Sequence, residues 1–417
     1  MALPTVDKKP IDKYYIGKCM KNNYGLEFWL KAGGVFSIGK NGRFIYLISG
    51  LYVIAFFMVF PLLVITAYKA AEGKELDIVC EAIHFAIFTF LEMIFLITCI
   101  VKNRVLAKIF TIMGKGFYDY ENTLDEECLS VAAKTLNESK RRKKIIAKVF
   151  IVVVMCACLS ITILRPIMKF LLGEHLLGKP DDGILRLIPV NMWTPFNKDS
   201  WYAMVIFYLS QDVIGYVTPG LVFGCTLFVV FACEDVGSQL IILGQSLKSV
   251  IRRAERLDMP TDEALKLCFS HSIRHHQTIL MCVKTLEKLL YIPGLGLLFG
   301  STILMCICGF IFVSKEVPFP SKFVFGMFLL SELMLIFLVC WCGENIQKTS
   351  TLIFDMVYSS EWPDNMSSMK NYVLIIQLRT IEPIKISFGG LMDASFETYS
   401  NICSSAFSYF NILIAVN

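Results

Sequence analysis

The sequence predicts an all-α membrane protein of seven transmembrane helices, and three observations predict it. Of 417 residues, 55% are hydrophobic and 18% charged, more apolar surface than one or two soluble cores can use. Mean hydropathy is +0.60, and the apolar residues fall in blocks of about 20 residues, the length a helix needs to cross roughly 30 Å of hydrocarbon. Lysine and arginine concentrate in alternate loops, which gives every span a direction.

Residues 1–43 are polar and lysine-rich, without the apolar core and small-residue cleavage site of a signal peptide, and are expected to form a cytoplasmic N-terminal segment. Transmembrane helices one to four are expected within 44–233. The first span, 44–68, is charge-free between Arg43 and Lys69; the second, 78–101, is interrupted by Glu81, His84 and Glu92; the third, 145–164, has Lys148 near its start. The fourth occupies about 202–233, where Pro219 predicts a kink and Gly220 with Gly224 a close helix contact. Helices five and six fall within 292–343, at about 292–313 and 323–342, and Gly296 with Gly300 repeats the small-residue pair. The seventh, in 391–417, has no charge after Glu397 but several serines and asparagines.

By loop, 8 lysines and arginines precede the first span, 10 lie in 102–144, 8 in 234–290 and 4 in 344–386, against 9 in the alternate loops. The basic side is expected to be cytosolic, which places the N-terminus cytoplasmic and the C-terminus extracellular, the reverse of a G-protein-coupled receptor. Both glycosylation sequons, at Asn137 and Asn365, then fall on the unmodified side.

Residues 234–291 carry apolar positions at helical spacing (Leu240, Leu243, Leu247, Val250; then Leu265, Phe269, Ile273, Leu280), broken near 258–260. They predict cytoplasmic helices extending spans four and five. Residues 344–390 are expected to supply further helices, at 344–358 and 367–378, parted at Trp362-Pro363 and ended before Pro383. Packed together these would make one intracellular domain. On the opposite side, 165–201 is punctuated by Pro180, Pro189 and Pro195 and suits a lid. The run Lys140-Arg141-Arg142-Lys143-Lys144 is expected to fix topology and to meet anionic lipid heads.

Fifteen cysteines lie almost entirely in apolar blocks or cytosolic loops, and Cys156/Cys158, Cys306/Cys308 and Cys340/Cys342 each point to different helix faces. His271 and His275 share a helix face, but no carboxylate joins them at metalloprotease spacing. Without a phosphate-binding loop, a nucleophile elbow or a zinc cluster, no enzyme, cofactor or nucleic-acid partner is expected. A central acid in a span costs roughly 2.5–3.5 kcal/mol on insertion scales, so Glu92, Asp212 and Glu332 are candidates for function or for pairing inside the bundle. Glu81 and His84 sit one turn apart, and His84 with Phe85 and Phe88 suits either an outward cavity or the core.

On a helical wheel the seventh span places Asn401, Ser404, Ser405, Ser408, Ile412, Ala415 and Val416 on one side, with Cys403, Ala406, Phe407, Phe410, Leu413 and Ile414 opposite. A polar stripe closing into apolar residues suits a conduit gated by dewetting. It equally suits a helix buried among its neighbours with serines bridging. The first reading also requires a cyclic oligomer.

The last third of the chain carries a family resemblance. Arg274-His275-His276-Gln277 leading to Leu286-Glu287-Lys288-Leu289, then 343–350 with Trp362, then Pro383, Gly389-Gly390, Phe396-Glu397-Thr398-Tyr399 and Phe407-Ser408-Tyr409-Phe410, resemble the insect odorant receptors. The resemblance is to a ligand-specific tuning subunit rather than to the shared coreceptor. Spans one to four match by topology and spacing only, and His276 departs from the family's direct run to glutamine. The resemblance implies an odorant-gated non-selective cation channel, assembled as a heterotetramer with the odorant receptor coreceptor in the plasma membrane of olfactory sensory neurons. It implies that the cytosolic extensions form an anchor domain and that the last helix lines the pore along Asn401, Ser404, Ser405, Ser408 and Ala415, with a gate at Ile412 and Val416. It implies a pocket for a small volatile organic ligand in the outer half, which falls here on His84, Phe88, Met155, Leu159, Ile206, Ser210, Phe325 and Phe328. A gustatory receptor of the same superfamily, a G-protein-coupled receptor and a secondary transporter are the alternatives; the related halves expected of a transporter are not found.

Overall fold

Charge-free runs of this length have no water to satisfy their peptide groups and must close their hydrogen bonds within the segment, so they form helices. The computed structural model describes residues 13–35, 42–172, 183–186, 188–195, 201–315, 317–360 and 362–416, and these are almost wholly helical. The helices are α1 (Lys13–Asn22), α2 (Leu26–Ala32), α3 (Gly42–Glu72), α4 (Leu76–Val101), α5 (Asn103–Lys115) and α6 (Glu126–Leu159). A π turn (Ser160–Leu164) joins α6 to α7 (Arg165–Leu171). Then follow α8 (Trp201–Lys248), α9 (Val250–Glu255), α10 (Thr261–Val313), α11 (Phe319–Tyr358), α12 (Met366–Thr380) and α13 (Phe396–Val416). Pro180 lies outside the described residues.

Six of these segments are long and apolar enough to cross a membrane, among the described residues. The seventh, α13, falls short because serines and asparagines dilute its apolar face. Together they make the seven-helix bundle that the charge-free runs predict. At its centre stands α8, buried along nearly its whole apolar window, whereas only 17% of the corresponding window of α3 is buried.

The two small-residue pairs mark the closest approaches. A Cβ on Gly300 or Gly296 would run into the Leu91 side chain of α4. Gly220 and Gly224 face the short helix α2 rather than another span, and a Cβ at either would lie 3.0–3.1 Å from its backbone. Leu26 and Leu30 are fully buried there, and the rings of Trp29 and Phe223 lie 4.5 Å apart. Each such leucine contributes about 1.5–3 kcal/mol of burial. A segment that reads as merely polar therefore docks part of the N-terminal region into the bundle.

Two ends can be distinguished. At the domain end, α8, α10 and α11 run past their apolar stretches and pack with α5, α9 and α12. Residues 102–144, a loop by charge, hold α5 and the first half of α6, whose N-terminus is capped by the Asp125 carboxylate accepting from Cys128 N at 3.1 Å. Within the basic run, Lys143 is buried, donating to Asp235 at 2.6 Å and to Asn23 Oδ1 at 2.8 Å, and Arg142 meets Glu234 at 2.9 Å. These two cations belong to the α6–α8 contact and not to lipid heads; Lys140, Arg141 and Lys144 stay exposed.

His271 and His275 pack against Tyr118 and Tyr120, and the Tyr120 hydroxyl lies 2.8 Å from His275 Nδ1. The Arg253 guanidinium sits over the Tyr120 ring, fully buried, and donates to Thr123 and Ser246 carbonyls at 3.0 and 2.8 Å. Strands β3 (Ser387–Phe388) and β4 (Met392–Asp393) form a hairpin that packs on α10 at Gly294 and Leu295. Its turn requires Gly389, which has φ +58° and leaves no room for a Cβ against Leu295.

Candidate ligand cavity

At the other end, which we term the hairpin end, the third span does not stop at Leu164. The π turn carries it on into α7, so Arg165 lies on the helix and points into the bundle. Its guanidinium is buried and grips the buried Glu81 carboxylate of α4 with two hydrogen bonds at 2.6 and 2.7 Å. It also donates to Pro189 O at 2.9 Å and Ser321 Oγ at 3.1 Å. Asn191 adds its backbone N–H and side-chain amide to Glu81 at 3.0 and 2.9 Å.

These bonds hold a flap. Strands β1 (Ile184–Leu185) and β2 (Met192–Trp193) pair antiparallel. Trp193 N donates to Thr66 Oγ1 at 2.7 Å, and Gln211 of α8 exchanges two 2.9 Å hydrogen bonds with the Val190 backbone. Lys169 donates to Arg186 O at 2.7 Å, and Arg186 pairs with Glu75. Together these bonds tie the segment that the prolines mark as a loop to α3, α4, α7 and α8.

Beneath the flap lies a cavity of about 140 Å³, close to the roughly 150 Å³ apolar space that holds one benzene. Each wall is a stripe at helical spacing: Phe85, Phe88 and Thr89 from α4; Val154, Cys158 and Ile161 from α6 and the π turn; Gln211, Gly215, Thr218 and Val222 from α8; Phe328, Ser331, Glu332 and Leu335 from α11. Val59 and Leu63 of α3 close the side, and Pro189, Val190 and Met192 the top. The Ser331 hydroxyl is engaged with Phe328 O at 2.8 Å and the Gln211 amide with the flap. What remains is an apolar, aromatic space with few polar groups to offer, selective by shape.

Of the sequence-predicted pocket residues, Phe88 and Phe328 line this cavity. His84 and Phe325 are buried one layer behind, the His84 ring 5.3 Å from Phe325 and 5.5 Å from Phe328, with Nδ1 3.5 Å from Cys308 Sγ. Met155 is half-buried against the core, Leu159 is exposed on the bundle's outside, and Ser210 is exposed with its hydroxyl on Phe207 O at 2.8 Å. The side chains of Ile206 and Asp212 lie outside the described residues. On α6 and α8 the predicted positions stand one residue from the lining ones, Met155 beside Val154 and Ser210 beside Gln211, a rotation of about 100° that turns a side chain away from the cavity.

On α13, Ile402 and Ala406 are buried against α10 and α11, and Phe410 packs on Gly309. Asn401, Ser404, Ser405, Ser408, Ile412 and Ala415 are all exposed in the single chain. Phe407, placed by the wheel on the packed side, is exposed too, at 64%. The contact face of α13 is therefore narrower than the wheel implies. The Val416 side chain lies outside the described residues.

Three comparisons bear on this arrangement. The family model for the seven-transmembrane odorant receptor matches residues 75–407. Odorant receptor 13a of Drosophila melanogaster is 23% identical over 59% of this chain and 61% of its own length; odorant receptor 9a of the same organism is 33% identical over 28% and 30%. The chain thus spans less than two thirds of these relatives. The insect olfactory receptor OR5 from Machilis hrabei, in complex with eugenol, superposes with a TM-score of 0.78 at 14% identity over 97% of this chain and 100% of that one. A second structure of the same Machilis receptor superposes with a TM-score of 0.76.

Proposed function

The chain belongs to the seven-transmembrane odorant receptor family, and on that premise we propose that it is a ligand-specific subunit of an odorant-gated, non-selective cation channel. In this reading it assembles with the odorant receptor coreceptor as a heterotetramer in the plasma membrane of olfactory sensory neurons. The hairpin end faces outward and the domain end faces the cytosol, in keeping with the basic bias of the loops. The observation that carries the proposal is the flap-covered aromatic cavity, sized for one small ring or short chain. The Machilis receptor's eugenol, a single-ring phenol, is a ligand of that class.

Two exposed surfaces support assembly. The polar stripe of α13, ending in Ile412, is exposed in the single chain and suits the axis of a ring of subunits. At the domain end Tyr358, Leu374, Ile375, Leu378 and Ile381 are exposed apolar side chains in a region expected to meet water, as subunit interfaces are.

A mechanical link runs between cavity and pore. Helix α11 carries Phe328 into the cavity, and further along it Phe337 lies 5.7 Å from Tyr399 and 6.1 Å from Phe396 of α13. A ligand that fits the cavity better when α11 is displaced shifts α13 with it and draws Ile412 from the axis. Differential affinity for the two arrangements is the driver. Current recordings from cells expressing the chain with and without the coreceptor, challenged with a panel of volatile compounds, test the reading. Ligand-evoked current only with both subunits supports it; a response that requires a G protein overturns it.

A further inference from the structure

Toward the domain end a second space of about 120 Å³ opens between α4, α8, α10 and α11. It shares Phe88, Val222, Glu332 and Leu335 with the ligand cavity, so the two are adjoining compartments. Its chemistry differs from that of its neighbour. Two carboxylates line it, Glu92 and Glu332, together with the rings of Phe88, Phe95 and Phe388. The Tyr52 hydroxyl donates to Glu92 Oε2, while Oε1 is buried without a hydrogen-bond partner, on a residue 6% exposed. Among the described residues, no lysine, arginine or histidine lines either compartment.

Carboxylates in apolar surroundings require a cation or a donor. Here the protein offers hydroxyls, Tyr52 to Glu92 and Ser301 to Glu332, but among the lining residues no cation. Aromatic faces beside acids are the surroundings that recognise an ammonium, the rings through their quadrupole and the acids through charge-assisted hydrogen bonds. We infer that the second compartment is an amine subsite: the ligand lays its apolar body against Phe88 and Phe328 and its protonated amine against Glu92 and Glu332. The inference rests on the upper cavity being the ligand site. A basic odorant crosses lipid as the free base and takes up its proton at the acids.

The test uses the full chain with three probes on one skeleton: 2-phenylethylamine, 2-phenylethanol and ethylbenzene. Thermal stabilisation of the purified chain reports binding, and current from cells co-expressing the coreceptor reports gating. The expected result is an amine at least ten-fold more potent than the alcohol, with that preference lost in Glu332→Gln and in Glu92→Gln, and with ethylbenzene acting unchanged in Glu92→Gln, which lies outside the ligand cavity. An amine no better than the alcohol on the unaltered chain overturns the subsite without any variant having to fold. So does a preference that survives both substitutions. Stabilisation by the amine without current keeps the subsite and counts against gating, whereas current from other odorants without amine preference in either readout counts against the subsite alone.

Discussion

Arg165 and Glu81, 84 residues apart, form a two-pronged ion pair at 2.6 and 2.7 Å with both side chains buried, and the flap over the ligand cavity hangs from it through Pro189 and Asn191. Buried pairs tolerate loss of one member poorly, because the survivor keeps its charge without compensation, at about 3–5 kcal/mol. Glu81→Gln and Arg165→Met are therefore expected to reduce surface delivery several-fold, as read by surface biotinylation. Arg165→Lys, which lacks the two-pronged geometry, should fall between these variants and the unaltered chain. Normal delivery of all three would show that the pair does not hold the flap.

The cavity walls make a second prediction. Phe88→Ala and Phe328→Ala each remove a ring from the lining and should shift odorant dose-response curves about ten-fold or more without changing ion selectivity, since a lost aromatic contact is worth about 1.4 kcal/mol or more. Leu159→Ala, on the outside of the same bundle, should leave them unmoved. If the Leu159 variant shifts the curves and the phenylalanine variants do not, the ligand binds elsewhere.

Close packing at Gly300 yields a third. A methyl group there meets the Leu91 side chain, and overpacking of this kind costs about 1–3 kcal/mol. Gly300→Ala should lower the unfolding temperature of the purified protein, and Leu91→Ala in the same chain should restore part of the loss. No recovery in the double variant would argue against the contact.

The domain end should be acid-sensitive. Burial, aided by the like charge of His276, lowers the His275 pKa to about 3, against about 6.5 for a free histidine. Below pH 6.5 the unfolded chain takes up a proton that the folded chain refuses. The contribution is therefore whole above pH 6.5 and is lost as pH falls toward 3, by about 2 kcal/mol at pH 5. His275→Gln should flatten the fall in unfolding temperature between pH 7.5 and 5; an unchanged slope would place the sensitivity elsewhere.

The spans were legible because a charge-free run has few alternatives in lipid, and the gap between α9 and α10 because Pro260 and its polar neighbours interrupt a helical period. Arg165 was not legible. A charge following an apolar run reads as the start of a loop, and nothing local announces that a π turn carries it inward to a glutamate on another helix. Depth within the third span could be read from its ends, but its rotation could not, because apolar residues run all the way round it and mark no face. Val154 and Cys158 therefore line the cavity where Met155 and Leu159 were expected. Glu92 and Glu332 were visible as costly charges in apolar runs, but their convergence on one space depends on how α4 and α11 pack. Lys143 shows the limit of charge counting: a basic run sets direction as a whole, yet one member can be consumed by a buried pair with Asp235.

The central claim is that ligand in the cavity opens a pore lined by α13 and closed at Ile412. Whole-cell current from cells expressing the chain with the coreceptor tests it most directly, with the unaltered chain compared against Ile412→Ala. The account predicts odorant-evoked current that reverses near zero and needs no nucleotide, and a raised basal current in the variant. Basal and evoked currents identical to those of the unaltered chain would contradict it.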